Sequence, residues 1–360
     1  MRATTDIFES TRRYENWMGR HVQLVSRQLV DKHAMMKGDL FAFFRGTYYR
    51  WVQLWRSAVP KSVQAAPAIL AVGDLHVDSF GTWRDVEGRL IWGVDDFDEA
   101  FPLPYTNDLV RLAASVKIAA KAGALKISLP DACDAIIEGY RASLRKGGAP
   151  ITLAEEEHFL QTLGISELKA PENFWQKLER LPASRRQCPP AARKALEHTL
   201  PKLLRYKLVS RTAGTGSLGQ PRFAAIAEWK GGSIAREAKA MVPPASAWLG
   251  DEHAGKSYYN EILESAVRAH DPFQKVVDGW LIRRLSPDSN PIPISDWPKK
   301  RDEFKLLRSM GRETANVHVG SARQIKKILG HLEEMKATWL LATAKQMARA
   351  VLKEWKEYRD

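Results

Sequence analysis

The 360-residue chain contains only two cysteines, Cys133 and Cys188, which stand far apart. Their number and spacing exclude a disulfide framework and a cysteine-based zinc site, and they favour a reducing compartment. No apolar run reaches the roughly 18 residues that a membrane span needs, and the first residues lack the apolar core of a signal peptide. The sequence therefore predicts a cytoplasmic protein with no membrane partner.

Acidic residues are outnumbered, because 55 Lys and Arg against 42 Asp and Glu give a net charge of +13. Such an excess attracts phosphate groups, and nucleic acid is one partner that it would suit. The basic residues are spread along the chain, however, and form no basic arm. A solvated basic surface is therefore the first explanation, and attraction of an anionic substrate such as a nucleotide is the second. Nucleic acid is a less favoured partner.

Hydrophobic spacing divides the chain into a helical part and a part rich in strands. Residues 5–58 have helical periodicity, and helices are expected to dominate residues 107–204. Short strands are expected at 68–72 and 89–94, with a turn at 85–88. After residue 205 the pattern predicts strands at 206–210, 222–229, 233–241 and 279–285, a helix at 257–269, and two or three amphipathic helices over 300–360.

Carboxylates cluster directly after the first two predicted strands. Asp74 lies in the segment Gly73-Asp-Leu-His-Val-Asp-Ser-Phe-Gly81, and Asp96 lies in Val94-Asp-Asp-Phe-Asp-Glu-Ala100. In-line phosphoryl transfer needs one carboxylate that orients the acceptor and another that holds Mg²⁺. Asp74 suits the first role and Asp96 the second, while Asp108 opens a helix and would brace the loop of Asp74. A solvent-exposed acidic turn is the alternative, and His76 alone is more often a loop-bracing residue than a base.

A glycine-rich segment, Gly214-Thr-Gly-Ser-Leu-Gly219, follows much later. Pro221 and the extended run after it indicate strand, loop, strand, whereas a dinucleotide site needs a helix directly after the loop. This arrangement is typical of a kinase phosphate cover, in which backbone amides approach the phosphate oxygens. Candidate nucleotide-binding residues are Gly214, Gly216, Ser217 and Gly219, with a cation on the next strand, either Arg236 or Lys239. An ordinary glycine-rich hairpin is the alternative.

Three motifs carry a resemblance to known families. Residues 73–76, 95–100 and 107–112 resemble the aminoglycoside-phosphotransferase and choline-kinase branch of the protein-kinase-like superfamily. The longer segments 41–46, 73–81, 107–115 and 214–219 are similar to the domain-of-unknown-function 2252 family of uncharacterised bacterial proteins, over roughly residues 35 to 320. The combination of motifs is specific, although no single motif is.

The resemblance implies a role for each acidic motif. Asp74 matches the catalytic-loop base, Asp96 the metal-binding aspartate and Asp108 the structural aspartate. Ser79 stands where the superfamily has a metal-holding asparagine and is a candidate metal ligand itself. A serine hydroxyl is a weaker and shorter ligand, so metal binding is expected to rest mainly on Asp96.

Supporting residues are expected around this core. Asp78 or Asp98 would assist Asp96 in holding the metal. Spacing to the following prolines favours Lys239 over Arg236 as the phosphate-binding cation. Glu261 or Glu264 on the next helix is its expected acidic partner.

The motifs occur in the reverse of the order found in kinases, where the glycine loop comes first. A circular permutation would reconcile the two, and residues 305–318 resemble the helix that would then precede the catalytic strand. The expected fold is α+β, two-lobed and protein-kinase-like. It comprises a helical lobe over 1–204, a small antiparallel β lobe over 205–298, and C-terminal helices over 299–360 that pack back on the helical lobe.

The expected function is an ATP-dependent phosphotransferase that uses Mg²⁺ and acts on a small-molecule acceptor. A nucleotide-binding pseudokinase or scaffold keeps the fold without turnover, and Ser79 favours that alternative. A metallophosphoesterase is less favoured, because its paired-metal site expects a downstream Gly-Asn-His segment that the chain lacks. A basic nucleic-acid-binding protein is the remaining alternative.

Overall fold

The computed structural model describes residues 5–155, 171–184, 186–250, 255–289, 292 and 302–360. These residues form a mixed α+β fold with three antiparallel sheets, which confirms the expected fold class at that level. The helices are α1 (Ile7–Met18), α2 (Ser26–Gly38), α3 (Leu40–Gly46), α4 (Tyr48–Ala58), α5 (Lys61–Gln64), α6 (Thr106–Lys121), α7 (Leu129–Lys146), α8 (Pro171–Glu179), α9 (Pro190–Glu197), α10 (Ala245–Trp248), α11 (Tyr259–Ser265), α12 (Glu303–His318), α13 (Ile325–Glu334) and α14 (Trp339–Arg359). The strands are β1 (Ala68–Ala71), β2 (Phe80–Arg84), β3 (Leu90–Val94), β4 (Phe101–Pro104), β5 (Ile151–Thr152), β6 (Lys207–Ser210), β7 (Arg222–Trp229), β8 (Gly232–Ala240), β9 (Lys275–Val277) and β10 (Trp280–Leu285).

The largest hydrophobic core joins the N-terminal helices, the central helices α6 and α7, and the C-terminal helices. Helix α14 packs on α6, and α12 crosses α7. The second crossing is close enough to require glycine, because a Cβ on Gly139 would lie 1.9 Å from the carbonyl oxygen of Arg308. A buried ion pair also ties the two ends of the chain together: Arg50 donates to both carboxylate oxygens of Glu354, at 2.7 and 2.9 Å.

Two small sheets carry the acidic segments. Strand β1 pairs with β4, and the β2–β3 hairpin is extended by β5. The predicted strands at 68–72 and 89–94 are confirmed, as is the turn before β3, where Gly88 has a φ of +76°. Strands β2, β4, β5 and β9 were not predicted, because each has at most five residues and lacks the apolar run that marks β1 and β3.

The largest sheet has five strands in the order β6-β7-β8-β10-β9, all neighbours antiparallel. The glycine-rich segment joins β6 to β7, so strand, loop, strand is confirmed. Side chains alternate between the two faces of the sheet. Helix α9 covers one face, and Leu178 of α8 packs on the other. Helices α8 and α9 therefore pack on the sheet, although both lie in the segment that the sequence assigned to the helical lobe.

The remaining element boundaries agree with the pattern to within a few residues. Strand β7 has the predicted bounds, whereas helix α11 is shorter than the predicted 257–269. The C-terminal stretch contains three α-helices and a short 3₁₀ segment at Val319–Gln324. In the described part of the chain, no helix is both long and apolar enough to cross a membrane.

Candidate functional site

One cavity lies between the acidic segments and the face of the five-stranded sheet that is opposite helix α9. Residues distant in sequence line it together, and the N-terminal helices close a third side. The acidic segments contribute Asp74, His76, Asp78, Asp95, Asp96, Asp98 and Glu99; the glycine loop contributes Gly214, Gly216 and Ser217; the sheet contributes Arg211, Arg222, Lys239 and Arg283; and helices α1–α4 contribute Tyr14, Lys32, Arg45 and Tyr49.

Asp74 follows β1 and reaches the cavity from a tightly held loop. Its Oδ1 accepts a hydrogen bond from Nε of Arg111, a fully buried residue of α6, and forms an ion pair with Nη2 of the same residue. The guanidinium of Arg111 is itself stacked over the rings of Phe44, Trp51 and Tyr48, at 3.9, 4.8 and 4.9 Å from their centroids. Burial raises the pKa of Asp74, and the charge of Arg111 opposes that shift. The partner of Asp74 is thus a rigidly held cation.

Asp108 fixes the backbone just before Asp74. Its two carboxylate oxygens accept hydrogen bonds from the amides of Val72 and Gly73, at 2.7 and 2.9 Å. The Oδ2 atom also contacts Nε2 of His318 at 2.9 Å, at the end of α12. All of this lies out of solvent, so Asp108 couples the loop of Asp74 to the C-terminal helices.

Of the loop residues Ser79 and His76, only His76 lines the cavity. The Ser79 hydroxyl donates to the carbonyl of Asp74 at 3.2 Å and accepts from the amide of His76 at 3.0 Å. Ser79 is therefore occupied within the loop and does not line the cavity. His76 does line the cavity, burial holds its pKa well below the usual value, and its Nδ1 has no hydrogen-bond partner.

The carboxylates after β3 crowd one side of the cavity. Burial raises the pKa of Asp95 to about 7, and the charge of Asp96 adds to that shift. Burial likewise raises the pKa of Glu99 to about 8, while its Oε2 accepts a hydrogen bond from the amide of Ala245 at 2.6 Å. Several carboxylates thus crowd this side of the cavity, and a bound cation there would favour their ionised forms.

The acidic side of the cavity offers only part of the ligand set that a metal ion needs. In the described ranges, no three His, Cys, Asp or Glu side chains converge on one point. Mg²⁺ commonly takes one or two protein carboxylates and completes its shell with water and substrate phosphates. Asp96 and Asp98 suit this pattern: both line the cavity, and Oδ1 of Asp98 is buried without a hydrogen-bond partner. Asp78 is less suited, because Arg45 already donates to its Oδ2 at 3.0 Å.

Lys239 and Arg236 lie on opposite faces of β8. Lys239 lines the cavity, is almost fully buried and forms an ion pair with Asp98, and burial lowers its pKa to about 8. Arg236 instead stacks over Phe273, 3.6 Å from the ring centroid, and lies outside the cavity. The alternation of a strand thus separates the two candidates that the sequence left open. Neither Glu261 nor Glu264 lines the cavity, and Asp98 is the carboxylate that Lys239 contacts.

The glycine loop is fastened to helix α2. Lys32 donates to the carbonyl of Gly216 at 3.1 Å, the amide of Gly219 donates to Gln28 at 3.2 Å, and the amide of Val25 donates to the carbonyl of Gly219 at 2.8 Å. Gly214 and Gly219 have φ values of +71° and +97°, which favour glycine. No pattern in the sequence indicated this contact between helix α2 and the loop.

A group of arginines around Glu237 was also missed. Glu237 of β8 is fully buried and accepts hydrogen bonds from Arg211, Arg222 at 3.0 Å and Arg283 at 2.7 Å. Burial raises the pKa of Glu237, but the charges of the three arginines outweigh that effect and hold it well below the usual range. The alternation of Glu237 with Lys239 along β8 was the available signal, because it puts both residues on the cavity face.

Comparison with known proteins gives one match. Residues 24–187 match the model of the family DUF2252, described as "Uncharacterized protein conserved in bacteria". This part of the chain resembles the DUF2252 family. The match includes the loop of Asp74 and the start of α6 but ends before the glycine loop. Comparisons with curated proteins and with solved structures found no match.

Proposed function

We propose that this chain is an ATP-dependent phosphotransferase that uses Mg²⁺ and acts on a small-molecule acceptor. The observation that carries the proposal is that Asp74, Asp96, Lys239 and the glycine loop line one cavity despite their separation in sequence. Phosphoryl transfer relies on positioning and on charge stabilisation rather than on covalent chemistry by the protein. A cavity with carboxylates on one side and cations on the other suits that requirement.

The arrangement of the sheet supports a kinase-like fold. In protein kinases a glycine-rich loop covers the phosphates, and a lysine on the third strand contacts them. Here the glycine loop joins the first two strands of the five-stranded sheet, and Lys239 is on the third. Helix α12 ends at His318 beside Asp108, next to the loop of Asp74. This placement supports a circularly permuted order, in which a helix from the C-terminal part supports the catalytic loop.

Asp74 would orient the acceptor hydroxyl and accept its proton. Arg111 uses only Oδ1 of this carboxylate, which leaves Oδ2 for the acceptor. Burial keeps the pKa of Asp74 above the usual value, so its basicity exceeds that of an exposed aspartate. Asp108 and Arg111 would limit the movement of Asp74 during the reaction.

Asp96 and Asp98 would hold Mg²⁺ together with the phosphate oxygens of the donor. The ion would neutralise charge on those oxygens during transfer. Lys239 contacts Asp98 in this structure and would share that carboxylate with the metal. The glycine loop would place its backbone amides over the same phosphates.

A nucleotide-binding protein without turnover is the second candidate. The observation that favours it is the position of Ser79, whose hydroxyl is hydrogen-bonded within the loop. The resemblance puts a metal-holding asparagine at this position, and Ser79 offers no ligand to the cavity. This candidate predicts Mg²⁺-dependent nucleotide binding with no phosphate release.

Thermal unfolding with ATP, ADP and GTP, with and without Mg²⁺, tests both candidates. We expect Mg²⁺-dependent stabilisation by ATP that Asp96→Ala abolishes and that Asp134→Ala, an exposed change on α7, leaves intact. Asp74→Asn should keep this stabilisation but abolish phosphate release if the protein is a transferase. The absence of any shift with every nucleotide would contradict both candidates.

A further inference from the structure

The inner wall of the cavity, on the face of the five-stranded sheet, is made of charged rather than apolar side chains. The sheet residues that line it are Arg211, Arg222, Lys239, Leu281 and Arg283, and only one of these is apolar. A flat aromatic base needs apolar surfaces above and below it, as most cofactor pockets provide. This wall offers guanidinium groups instead, which suit planar or tetrahedral oxyanions.

The arginines are held in place by one shared carboxylate. Glu237 accepts from Arg211, Arg222 and Arg283, so three positive charges meet one negative charge and an excess of two remains. Asp95 and Asp96 lie near enough to interact with this charge, but they belong to the acidic side of the cavity. Holding several buried cations together is costly unless an anion joins them.

The contacts of Arg222 indicate where such an anion would bind. It is 5% exposed, lines the cavity, and its Nε atom has no hydrogen-bond partner, although Nη1 is bound to Glu237. Its Nη2 contacts the hydroxyl of Ser217 in the glycine loop. The guanidinium therefore links the sheet to the loop that is expected to cover phosphates, and one of its donors is still available.

We propose that Arg211, Arg222 and Arg283 form a subsite for phosphate groups on the cavity face of the sheet. The proposal rests on the proposed function and adds to it that the phosphates contact this wall, in addition to Lys239. The nucleoside, or the apolar part of the acceptor, would then contact the less polar part of the lining. That part includes Tyr14, Met18, Tyr49, Val242 and Pro243.

Titration calorimetry with tripolyphosphate in the absence of Mg²⁺ tests the subsite without a nucleoside. We expect binding at one site, weakened at least tenfold in Arg283→Gln. Glu237 keeps two arginine partners in that variant, so the fold should survive. Arg284→Gln is the matched control, because the two neighbours have side chains 24% and 22% exposed and point to opposite faces of β10. If Arg283→Gln does not fold, Arg211→Gln replaces it.

Two further titrations, with ATP and with inorganic phosphate, identify the ligand whose phosphate binds at the subsite. If ATP competes with tripolyphosphate, the subsite holds the tail of the donor. If inorganic phosphate binds together with ATP and is lost in Arg283→Gln, the subsite holds a second phosphorylated ligand. Either result supports the subsite.

Equal affinity of the wild type and Arg283→Gln for tripolyphosphate would overturn the proposal, as would an equal loss in Arg284→Gln. Mg²⁺-dependent ATP binding, together with binding of tripolyphosphate and inorganic phosphate that Arg283→Gln leaves unchanged, would refute the subsite while the proposed function stands. Tripolyphosphate binding that depends on Arg283, without any nucleotide binding, would refute the proposed function and keep the subsite.

Discussion

At the scale of single residues, the candidate site is defined by buried polar groups with specific partners. Asp74 is held by Arg111, and Asp108 holds the backbone that precedes Asp74. Buried polar groups are costly unless they are satisfied, so such contacts restrict the loop to one geometry. The position of a reacting carboxylate is thereby set before any ligand binds.

Glu313 of α12 gives a pH-dependent prediction away from the site. Burial raises its pKa from 4.5 to about 7, although Arg268 opposes the shift and Asn316 donates to Oε2 at 2.7 Å. The folded protein therefore keeps this proton where the unfolded chain has released it, so stability falls as pH rises from about 4.5 to 7. Glu313→Gln should remove about 1–3 kcal/mol of that fall.

Urea unfolding at pH 5 and at pH 8 measures this change. The wild type should lose more stability between the two pH values than Glu313→Gln does. An identical pH dependence in both proteins would show that Glu313 is ionised in the folded state.

The residues that line the candidate site could be predicted from the sequence more readily than the residues that contact them. The strands before Asp74 and Asp96 indicated that both face a cleft, and both line the same cavity. Arg111 and His318 were not singled out, because a buried cation paired across elements leaves no local pattern in the sequence. The hydrogen bonds of the Ser79 hydroxyl could not be predicted either, because they depend on the conformation of the loop.

At the scale of elements, the glycine loop depends on helix α2. Three hydrogen bonds join the loop to residues of this helix or just before it. The loop is therefore held over the cavity by a segment outside the sheet. Movement of the loop away from α2 therefore requires rupture of these bonds.

Gly219→Ala tests that contact. Gly219 has a φ of +97°, and an added Cβ would lie 2.4 Å from Cδ2 of Leu29 in α2. Gly231→Ala is the matched control, since its φ is +81° but its Cβ would meet nothing within 4 Å. The backbone strain of about 1–2 kcal/mol is common to both, so Gly219→Ala should cost about 1 kcal/mol more.

Unfolding of both variants by denaturant measures the difference. Leu29→Ala should cost less in the Gly219→Ala background than in the wild type, because truncation of Leu29 relieves the clash with the added Cβ. Equal costs for the two glycine variants would mean that the loop does not rest on α2.

Elements with a clear hydrophobic pattern were predictable, and short strands without one were not. Strand β7 was predicted at its observed bounds from eight residues of extended pattern. The strands β2, β4 and β9 have five residues or fewer, and their pairing depends on partners that are distant or follow a tight turn. Helices α8 and α9 were predicted as helices, but only packing shows that they cover the sheet.

At the scale of the whole molecule, part of the net charge of +13 can be assigned to the cavity. Part of the basic excess is buried around Glu237 and Lys239, opposite a set of carboxylates. Composition predicted attraction of an anion, but it could not locate the cations within one cavity. The convergence of the acidic segments and the glycine loop followed from the resemblance rather than from periodicity.

The central claim is that residues 74–98 and 211–239 bind one Mg²⁺–ATP together, and calorimetric titration tests it directly. We predict that Asp96→Asn and Lys239→Met each weaken binding at least tenfold, because the first removes a carboxylate that would hold Mg²⁺ and the second removes a positive charge that faces the phosphates. Arg236→Met, on the opposite face of the same strand as Lys239, should bind as tightly as the wild type. Binding that survives both site substitutions, or that is lost equally in Arg236→Met, would contradict a single shared site.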